Sequence, residues 1–415
     1  MKNNNCVRFS LLLTVLVWHT CSALHATDWP RFRGPQGDGT SSDQGVPTEW
    51  SDSKNLKWKL KLPGAGFSSP IVVGKHVFVT AYTGSGDQVT RYLVCVDRQT
   101  GEAAWTKSVD GVSDGGERGF SYHGQASHTP VSDGDRIYVM FGSSGVMTFD
   151  LSGKTLWQQE LGNERASRFG TASSPILHGN LLIVTAGAES ESMRAFNTKT
   201  GEEVWKTEAG SLSGSYSTPL VVTNSKGIAE LLLSVPNEVW SLNPASGKLN
   251  WYAETKVDTG ACCSLVAADD IAYVIGGRRG GRTAVRIGGK SDVTDSNVLW
   301  SENGGSYVPS PVLHQGHLYW INDRGIASCI DTKTGKEVTN KRLDGRFYSS
   351  VVLIADKLYA VSRFDGTYVL KATPEFEQIA LNKLSDESDF SGSPAVSDGQ
   401  LFIRSEESLY CVAAE

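Results

Sequence analysis

The feature of this sequence best suited to redox chemistry is Cys262-Cys263, a pair of adjacent cysteines in the segment Ala261-Cys262-Cys263-Ser264. A disulfide between sequence neighbours strains the peptide that joins them, so it is expected only where it is useful or harmless. Two unbonded cysteines would instead be small apolar residues leading into a packed strand, the commoner role for such a motif without further context. The sequence leaves both interpretations and the oxidation state of the pair open.

A set of arginines is predicted to bind a partner, because the guanidinium group is a planar fork of donors that suits carboxylates and phosphates. The set lies at the ends of apolar strands, or in the connections near them, in the last third of the chain: Arg278, Arg279, Arg282, Arg324, Arg346, Arg363 and Arg404. Asp323 and Glu406 lie among these residues. Local pairing of the charges is therefore the alternative.

Tyr216, Tyr307, Tyr348 and His123 complete the predicted partner-binding set, because aromatic residues often anchor protein interfaces. The tyrosines could also simply fill the mouth of a channel. His123 lies in a long glycine-containing segment, residues 110–127, which could equally be a solvated insertion.

No catalytic set can be assigned from spacing. The histidines at 76, 178, 314 and 317 lack ligand spacing, so no metal site is predicted. No Ser-His-Asp order or paired carboxylates can be defended either, since a site assembled from distant segments leaves no local motif.

A repeated docking motif indicates the elements that must position these residues. In residues 95–105 a short apolar strand ends in an acidic residue, a polar turn closes on Gly, and Trp follows four residues later. Trp can fill the space between neighbouring units, and its indole N–H can reach a main-chain acceptor. The predicted docking residues are Trp58, Trp105, Trp157, Trp205, Trp251 and Trp300.

Three cysteines share one place in this repeat. Cys95, Cys329 and Cys411 stand where other copies carry Thr148 or Ala195. The equivalence predicts small buried residues rather than disulfide partners.

A second marker begins each unit, namely a Ser-Pro or Thr-Pro dipeptide that leads into a short inner strand. The prolines are at positions 70, 130, 175, 219, 311 and 394, and degenerate copies are centred on Leu265 and Val351. Eight units of about 40–60 residues match the length of propeller blades. The sequence therefore predicts an all-β, eight-bladed β-propeller of four-stranded antiparallel blades.

The last unit ends after three strands, and residues 56–60 supply an alternating strand that could complete it. That pairing would close the ring and remove exposed sheet edges. Blades six and seven depart from the motif, with Thr339 at one docking position, so looser outer contacts are expected there.

The chain divides into three predicted parts. Residues 1–26 resemble a secretory signal, with basic residues before a short apolar run and small residues after it. Residues 27–54 form an extension, and residues 55–415 form one propeller. No segment is long and apolar enough to span a bilayer, so a secreted or periplasmic protein is expected. Lipid attachment at Cys21 stays open.

The repeats resemble the pyrroloquinoline-quinone (PQQ) repeat family, which includes quinoprotein alcohol dehydrogenases and the outer-membrane assembly scaffold BamB. The segments Asp28-Trp29-Pro30-Arg31-Phe32-Arg33-Gly34-Pro35 and Arg286-Ile287-Gly288-Gly289-Lys290-Ser291-Asp292 resemble a group of secreted bacterial members without an established activity. In the dehydrogenases a disulfide between neighbouring cysteines lies against the quinone, so the resemblance implies a cofactor-binding role for Cys262 and Cys263. No set of ligands for the accompanying calcium is recognisable.

The leading hypothesis is an exported, non-enzymatic propeller that binds a protein, peptide or glycan through its loops. No cofactor is expected, and the protein is expected to be a monomer. The alternatives are an oxidoreductase that uses PQQ with calcium, and a BamB-like scaffold for outer-membrane protein assembly. The net charge of -6 argues against nonspecific nucleic-acid binding.

Overall fold

The structure, a computed structural model, describes residue 1 and residues 28–85, 88–111, 125–162 and 170–414. Seven of the main sheets contain four antiparallel strands that follow one another along the chain, and the eighth takes its fourth strand from residues 56–61. Together the sheets form eight blades in a ring. The predicted eight-bladed, all-β propeller is therefore confirmed. Successive side chains of a strand point to opposite faces, so each blade buries both faces only by stacking between two neighbours.

The first four blades each run from an innermost to an outermost strand in chain order. Blade one is Ile71–Val73, His76–Ser85, Gln88–Asp97 and Ala103–Gly111. Blade two is Val131–Ser132, Arg136–Met140, Val146–Asp150 and Thr155–Gln159. Blade three is Ile176–His178, Leu181–Ala186, Ser192–Asn197 and Glu203–Glu208. Blade four is Leu220–Thr223, Ala229–Val235, Glu238–Leu242 and Leu249–Glu254.

The remaining blades follow the same order. Blade five is Val266–Ala268, Ile271–Gly276, Gly281–Arg286 and Val298–Asn303. Blade six is Val312–His314, His317–Ile321, Ile326–Asp331 and Glu337–Arg342. Blade seven is Val352–Ile354, Lys357–Val361, Thr367–Lys371 and Gln378–Asn382. Blade eight is Ala395–Ser397, Gln400–Arg404 and Ser408–Val412, completed by Leu56–Lys61.

The strand Leu56–Lys61 pairs antiparallel with Ser408–Val412, as predicted, so the two ends of the chain close the ring in one blade. In the part of the chain that the structure describes, helices are short: two α-helices at Gly187–Ser190 and Thr294–Asn297, and two 3-10 helices at Gly142–Ser144 and Gly210–Gly214. None of the helices in the described ranges is long and apolar enough to cross a membrane.

The ring has two different faces. The loop face carries the connections between blades and the turns between second and third strands, such as residues 277–280. The turn face carries the turns between third and fourth strands, such as residues 98–102. Each inner strand runs from the loop face to the turn face.

Five of the six predicted docking tryptophans join their blade to the next one. Trp205 is buried, and its indole N–H donates to the carbonyl of Pro244 in the following blade at 3.0 Å. A Cβ on Gly247 would lie 2.4 Å from the Trp205 ring, and its φ of +68° also favours glycine. The same N–H-to-carbonyl contact recurs at Trp58, Trp105, Trp157 and Trp300.

A β-bulge precedes the docking position in every blade. In blade one it falls between Cys95 and Val96, where Cys95 pairs with Trp105. The residue opposite the docking position is small and buried, which confirms the expectation for Cys95 and Cys411, opposite Trp105 and Trp58, and for Cys329, opposite Thr339. A bulge bends its strand and redirects a side chain, so the repeat places each Trp against the next blade.

Trp251 departs from this rule. Its indole N–H donates to the buried Glu230 carboxylate of its own blade at 2.5 Å rather than to the next blade. The strand Ser291–Asp292, an excursion from blade five, pairs in parallel with Trp251 and Tyr252 instead. The segment 286–292 therefore replaces one docking contact by a strand pairing.

Blades six and seven were expected to have looser outer contacts, because they lack the docking Trp. Phe376, from the turn of blade seven, is buried and meets Tyr319 of blade six edge to face at 5.7 Å. Trp50, from the N-terminal extension, stacks on Tyr359 of blade seven at 6.3 Å. Phe376 and Trp50 thus supply aromatic contacts where blades six and seven lack a docking Trp, and the expectation of looser outer contacts stays a prediction.

The N-terminal extension crosses the axis of the ring on its turn-face side. Trp29 pairs with Val72 of blade one, and the carbonyl of Pro30 accepts the N–H of Ser132 in blade two. The strand Thr40–Ser41 then pairs in parallel with Val352–Ile354 in blade seven. Residues 29–41 therefore form a plug, which connects the inner strands of blades one, two and seven.

Replacing Trp205 by Ala is expected to lower the free energy of unfolding by about 3–5 kcal/mol, the range for deleting a large buried aromatic side chain. Val204 is the matched control, because its side chain is 50% exposed next to Trp205. Val204→Ala should change stability by about 0.5 kcal/mol or less. Denaturant unfolding of both variants checks this, and equal effects would show that the docking contact is not what stabilises the junction.

Candidate functional site

A closed ring of hydrogen bonds surrounds the axis at the loop-face end of the inner strands. One Ser or Thr from each blade takes part: Ser69, Thr129, Ser174, Thr218, Ser264, Ser310, Ser350 and Ser393. The main-chain N–H of each residue donates to the side-chain hydroxyl of the next one at 2.9–3.1 Å, and Ser393 closes the circle onto Ser69. We call these residues the hydroxyl ring. It fixes the mutual height of all eight inner strands.

A second tier lies above the hydroxyl ring, two residues earlier in every blade. It consists of Phe67, Ser127, Ala172, Tyr216, Cys262, Val308, Tyr348 and Ser391. Together with the ring, this tier encloses an axial cavity of about 290 Å³. The remaining lining residues are Thr171, Arg278, Tyr307 and Phe32. Most of the cavity wall therefore comes from the repeat, and these four residues complete it.

Phe32 of the plug is the lining residue that comes from the turn-face side. On either side of it, Arg31 and Arg33 reach the blades just beyond the hydroxyl ring. Arg31 donates to the carbonyl of Pro219 at 3.5 Å, and Arg33 donates to the carbonyl of Pro311. Burial lowers the pKa of both guanidinium groups to about 10, so both stay charged at neutral pH.

The adjacent cysteines separate in the structure, and both are free thiols. Cys262 lines the axial cavity, whereas Cys263 is buried away from it, with its Sγ 3.3 Å from the carbonyl oxygens of Ser306 and Pro309. Cys262 holds the place that Phe67 or Tyr216 holds in other blades. The structure thus supports the interpretation as two small residues, and a cofactor-binding role for the pair stays an untested prediction.

At Cys262 the effect of burial outweighs that of the nearby charges. Burial raises the pKa of the Cys262 thiol to about 12, and Arg278 opposes this only partly. Burial, with a smaller contribution from Cys262, raises the pKa of Tyr307 to about 12. Both groups therefore remain protonated and uncharged at neutral pH.

The three tyrosines predicted to bind a partner meet at this cavity. Tyr216, Tyr307 and Tyr348 all line it, and Arg278 lies over the Tyr307 ring at 5.8 Å. Tyr216, Tyr348 and Arg278 also make further contacts with their surroundings. His123 lies outside the described residues.

Three of the seven arginines are buried and do not project from the loop face as expected. Arg404 donates to the carbonyls of Ser68 and Thr80, across the junction of blades eight and one. Arg363 pairs with buried Asp389, and Arg282 donates to Gly335 at 3.0 Å. Main-chain carbonyls and one carboxylate near these positions draw the side chains inward, an arrangement that no local pattern revealed.

The other four arginines are exposed on the loop face. Arg279 lies 3.7 Å from Asp258, and Arg324 lies 3.9 Å from Asp323. Such long, exposed pairs contribute little and leave the guanidinium groups available. Arg278 and Arg346 complete this group, and the partner-binding role of all four remains a prediction.

Sequence reasoning missed the hydroxyl ring and Phe32. The Ser or Thr before each Pro was visible in the repeat, but it marked a strand start rather than a side-chain function. The recurrence of a hydroxyl at that one position, even in the two blades without Pro, was the available signal. Phe32 gave no such signal, because its position depends on where the extension crosses the axis.

The described lining offers few groups that could hold a quinone with its metal. It contains one Arg and no Asp or Glu. Within the described part of the chain, no group of three or more His, Cys, Asp or Glu side chains could hold a metal ion. Calcium sites in proteins are usually built from oxygen ligands that include carboxylates, and the described lining supplies none, so these residues do not fit a metal-bound quinone.

Comparison with known proteins relates the chain to propellers of two kinds. The family model described as outer membrane protein assembly factor BamB matches residues 39–251 and residues 89–341. BamB of Burkholderia pseudomallei (strain K96243) is 23% identical over 337 residues, which cover 75% of this chain and 77% of that protein.

Solved structures show the same relation. BamB from Moraxella catarrhalis covers 74% of this chain and 96% of its own, with a TM-score of 0.51 and 16% identity. The structure of a europium-containing methanol dehydrogenase matches 93% of this chain and 98% of its own chain, with a TM-score of 0.68 and 10% identity. The structure of a quinohemoprotein alcohol dehydrogenase from Pseudomonas putida HK5 matches 94% of this chain and 81% of its own chain, with a TM-score of 0.63 and 10% identity. At these identities the structural likeness shows the fold alone.

The burial of His128, beside the cavity, predicts that the stability of the protein depends on pH. It is buried, and its Nε2 lies 2.5 Å from the hydroxyl of Thr171, a lining residue. Burial, and to a lesser extent the charge of Arg91, lowers the pKa of His128 to about 3. The folded protein therefore keeps this side chain neutral where an unfolded chain, with a His pKa of about 6.5, would protonate it.

Stability should consequently fall as the pH drops below about 6.5, by up to about 1.4 kcal/mol per pH unit from this group. His128→Gln should remove that part of the slope between about pH 6 and pH 4. Denaturant unfolding of both proteins across this range checks the prediction. If the free energy of unfolding fell with pH equally steeply in both proteins, the prediction would be wrong.

Proposed function

Because the chain belongs to the β-propeller family described as outer membrane protein assembly factor BamB, we propose that it is a non-enzymatic scaffold that binds a protein partner through its loop face. The partner is expected to contact the rim of the axial cavity and the exposed arginines around it. A protein partner is preferred to a glycan because the family description names an assembly factor.

The observation that carries this proposal is the grouping of aromatic and arginine side chains on one face. Tyr216, Tyr307 and Tyr348 converge on the axial cavity, with Arg278 at its rim. Phe364, in the turn next to Arg363, is 57% exposed and belongs to the same face. Aromatic and arginine residues are the usual anchors of protein interfaces, and the rigid blades hold them in place.

We place this activity in the cell envelope. The support is the family membership together with the signal-like residues 1–26 of the sequence, which fall outside the described residues except for Met1. Attachment at Cys21, and action as a monomer, stay predictions.

The alternative function is a PQQ-dependent oxidoreductase. It is supported by the fold shared with quinoprotein dehydrogenases and by the position of Cys262 in the axial cavity. The described residues around that cavity provide no carboxylates for a metal, so the binding scaffold is the better supported function.

A photo-cross-linking residue at position 364 is expected to capture the partner in growing cells, because Phe364 is an exposed apolar side chain among the proposed contacts. Val338 is the matched control, since it is 47% exposed on the outer strand of blade six, away from the loop face. Adducts identified by mass spectrometry should come from position 364 alone. Adducts from neither position, or equally from both, would contradict the proposed face.

The charges are tested by Arg278→Glu combined with Arg324→Glu in the position-364 protein. Two reversed rim charges should weaken capture about tenfold, since an exposed pair contributes up to about 1 kcal/mol and about 1.4 kcal/mol corresponds to tenfold. Lys154→Glu combined with Lys199→Glu makes the same charge change on the turn face and should leave capture unchanged. The melting temperature should stay nearly constant in all variants, because all four side chains are exposed.

A further inference from the structure

The hydroxyl ring has hydrogen-bond donors that its structural role does not use. Each hydroxyl accepts one main-chain N–H, which uses an oxygen lone pair and leaves the O–H hydrogen free to donate. Within the described ranges, none of these hydroxyls donates to a protein acceptor. All eight residues line the axial cavity, so its wall carries a circle of donors.

Positively charged side chains lie on both sides of the hydroxyl ring along the axis. Arg278 lines the cavity on the loop-face side. Arg31 and Arg33 lie on the other side, bonded to the residues that directly follow Thr218 and Ser310 of the ring. Hydroxyl and guanidinium donors thus surround the axis.

The lower arginines are incompletely paired. Arg33 is buried, and its Nε and Nη1 have no hydrogen-bond partner among the described residues; the same holds for Nε of Arg31. Asp38 is the acidic residue whose charge acts on both. Two guanidinium groups facing one carboxylate leave a positive potential along the axis, and buried donors without acceptors normally have a specific explanation.

No described lining residue offsets this potential. Acidic side chains are absent from the lining within the described ranges, and Cys262 and Tyr307 remain protonated at neutral pH because burial raises the pKa of both groups. The cavity therefore combines donors, positive charge and aromatic walls. Its volume of about 290 Å³ is near the lower end of small-ligand sites, about 300 Å³.

We propose that the axial cavity binds a carboxylate group carried on an apolar or aromatic body. The carboxylate accepts from the hydroxyl ring and from Arg278, while Phe67, Tyr216 and Tyr348 contact the body. One guanidinium at the rim matches a singly charged, planar acceptor better than a phosphate, because the other two arginines lie behind Phe32. The inference deepens the proposed function and rests on it where the carboxylate belongs to a polypeptide partner.

Two sources of the carboxylate are distinguished by calorimetry with four probes. Hippurate carries its carboxylate at the end of a peptide-like amide, benzoate represents a small organic acid, and hippuramide and benzamide are their neutral counterparts. Both acids should bind, at least about tenfold more tightly than their amides, as expected for charge-assisted hydrogen bonds. Tighter binding of hippurate indicates a polypeptide carboxylate, and tighter or equal binding of benzoate indicates a small acid. Amides that bind as well as the acids, or no binding of either acid, would overturn the proposal.

Neighbouring arginines provide the matched variants. Arg278→Gln should weaken binding of the acids about tenfold, whereas Arg279→Gln should change it less than about twofold, because Arg279 points toward Asp258 and does not line the cavity. Arg33→Met tests the lower charge and should also weaken the acids but not the amides, with the melting temperature recorded to confirm folding. Equal losses in the two glutamine variants would place the carboxylate elsewhere.

The two proposals fail separately. Capture of a partner at position 364 without binding of any acid would remove the carboxylate site and keep the scaffold. Binding of acids without any captured partner would keep the site and remove the scaffold function.

Discussion

The hydrogen bonds of the hydroxyl ring are the constraint on which the rest of the structure depends. Each main-chain N–H at the start of an inner strand is satisfied by the hydroxyl of the next blade, so no blade can shift along the axis without breaking two bonds. A buried N–H without an acceptor is costly, and this gives the closure its strength. The ring also sets the second tier, and with it the width and depth of the axial cavity.

The periphery and the axis are held by different means. On the outside, tryptophans such as Trp205 reach the turn of the next blade, and an aromatic residue from another segment takes over where the repeat lacks one. On the axis, the plug connects blades that the circular contacts do not join directly. Trp29 meets blade one while Thr40–Ser41 meets blade seven, so one segment supports the ring from inside.

Function in this propeller depends on departures from the repeat. Every blade contributes one residue to the hydroxyl ring and one to the second tier. Arg278, Tyr307 and Phe32 have no equivalent in the lining from other blades, so they make the cavity asymmetric. The relation to both BamB and quinoprotein dehydrogenases agrees with this, since a shared blade architecture can carry unrelated sites. The described lining of the cavity combines hydroxyl groups, aromatic rings and one guanidinium group and contains no carboxylate.

The sequence by itself determined the number of blades, the strand that closes the ring and the docking role of residues such as Trp205, because these depend on local patterns repeated at a regular interval. It also identified the tyrosines at the cavity, since position in the repeat predicts position near the axis. Only the tertiary structure decided which arginines are buried, that Cys262 and Cys263 face different surroundings, and that Phe32 reaches the cavity. Those outcomes depend on partners distant in sequence, as when Arg404 meets Ser68, and no local pattern encodes such a meeting.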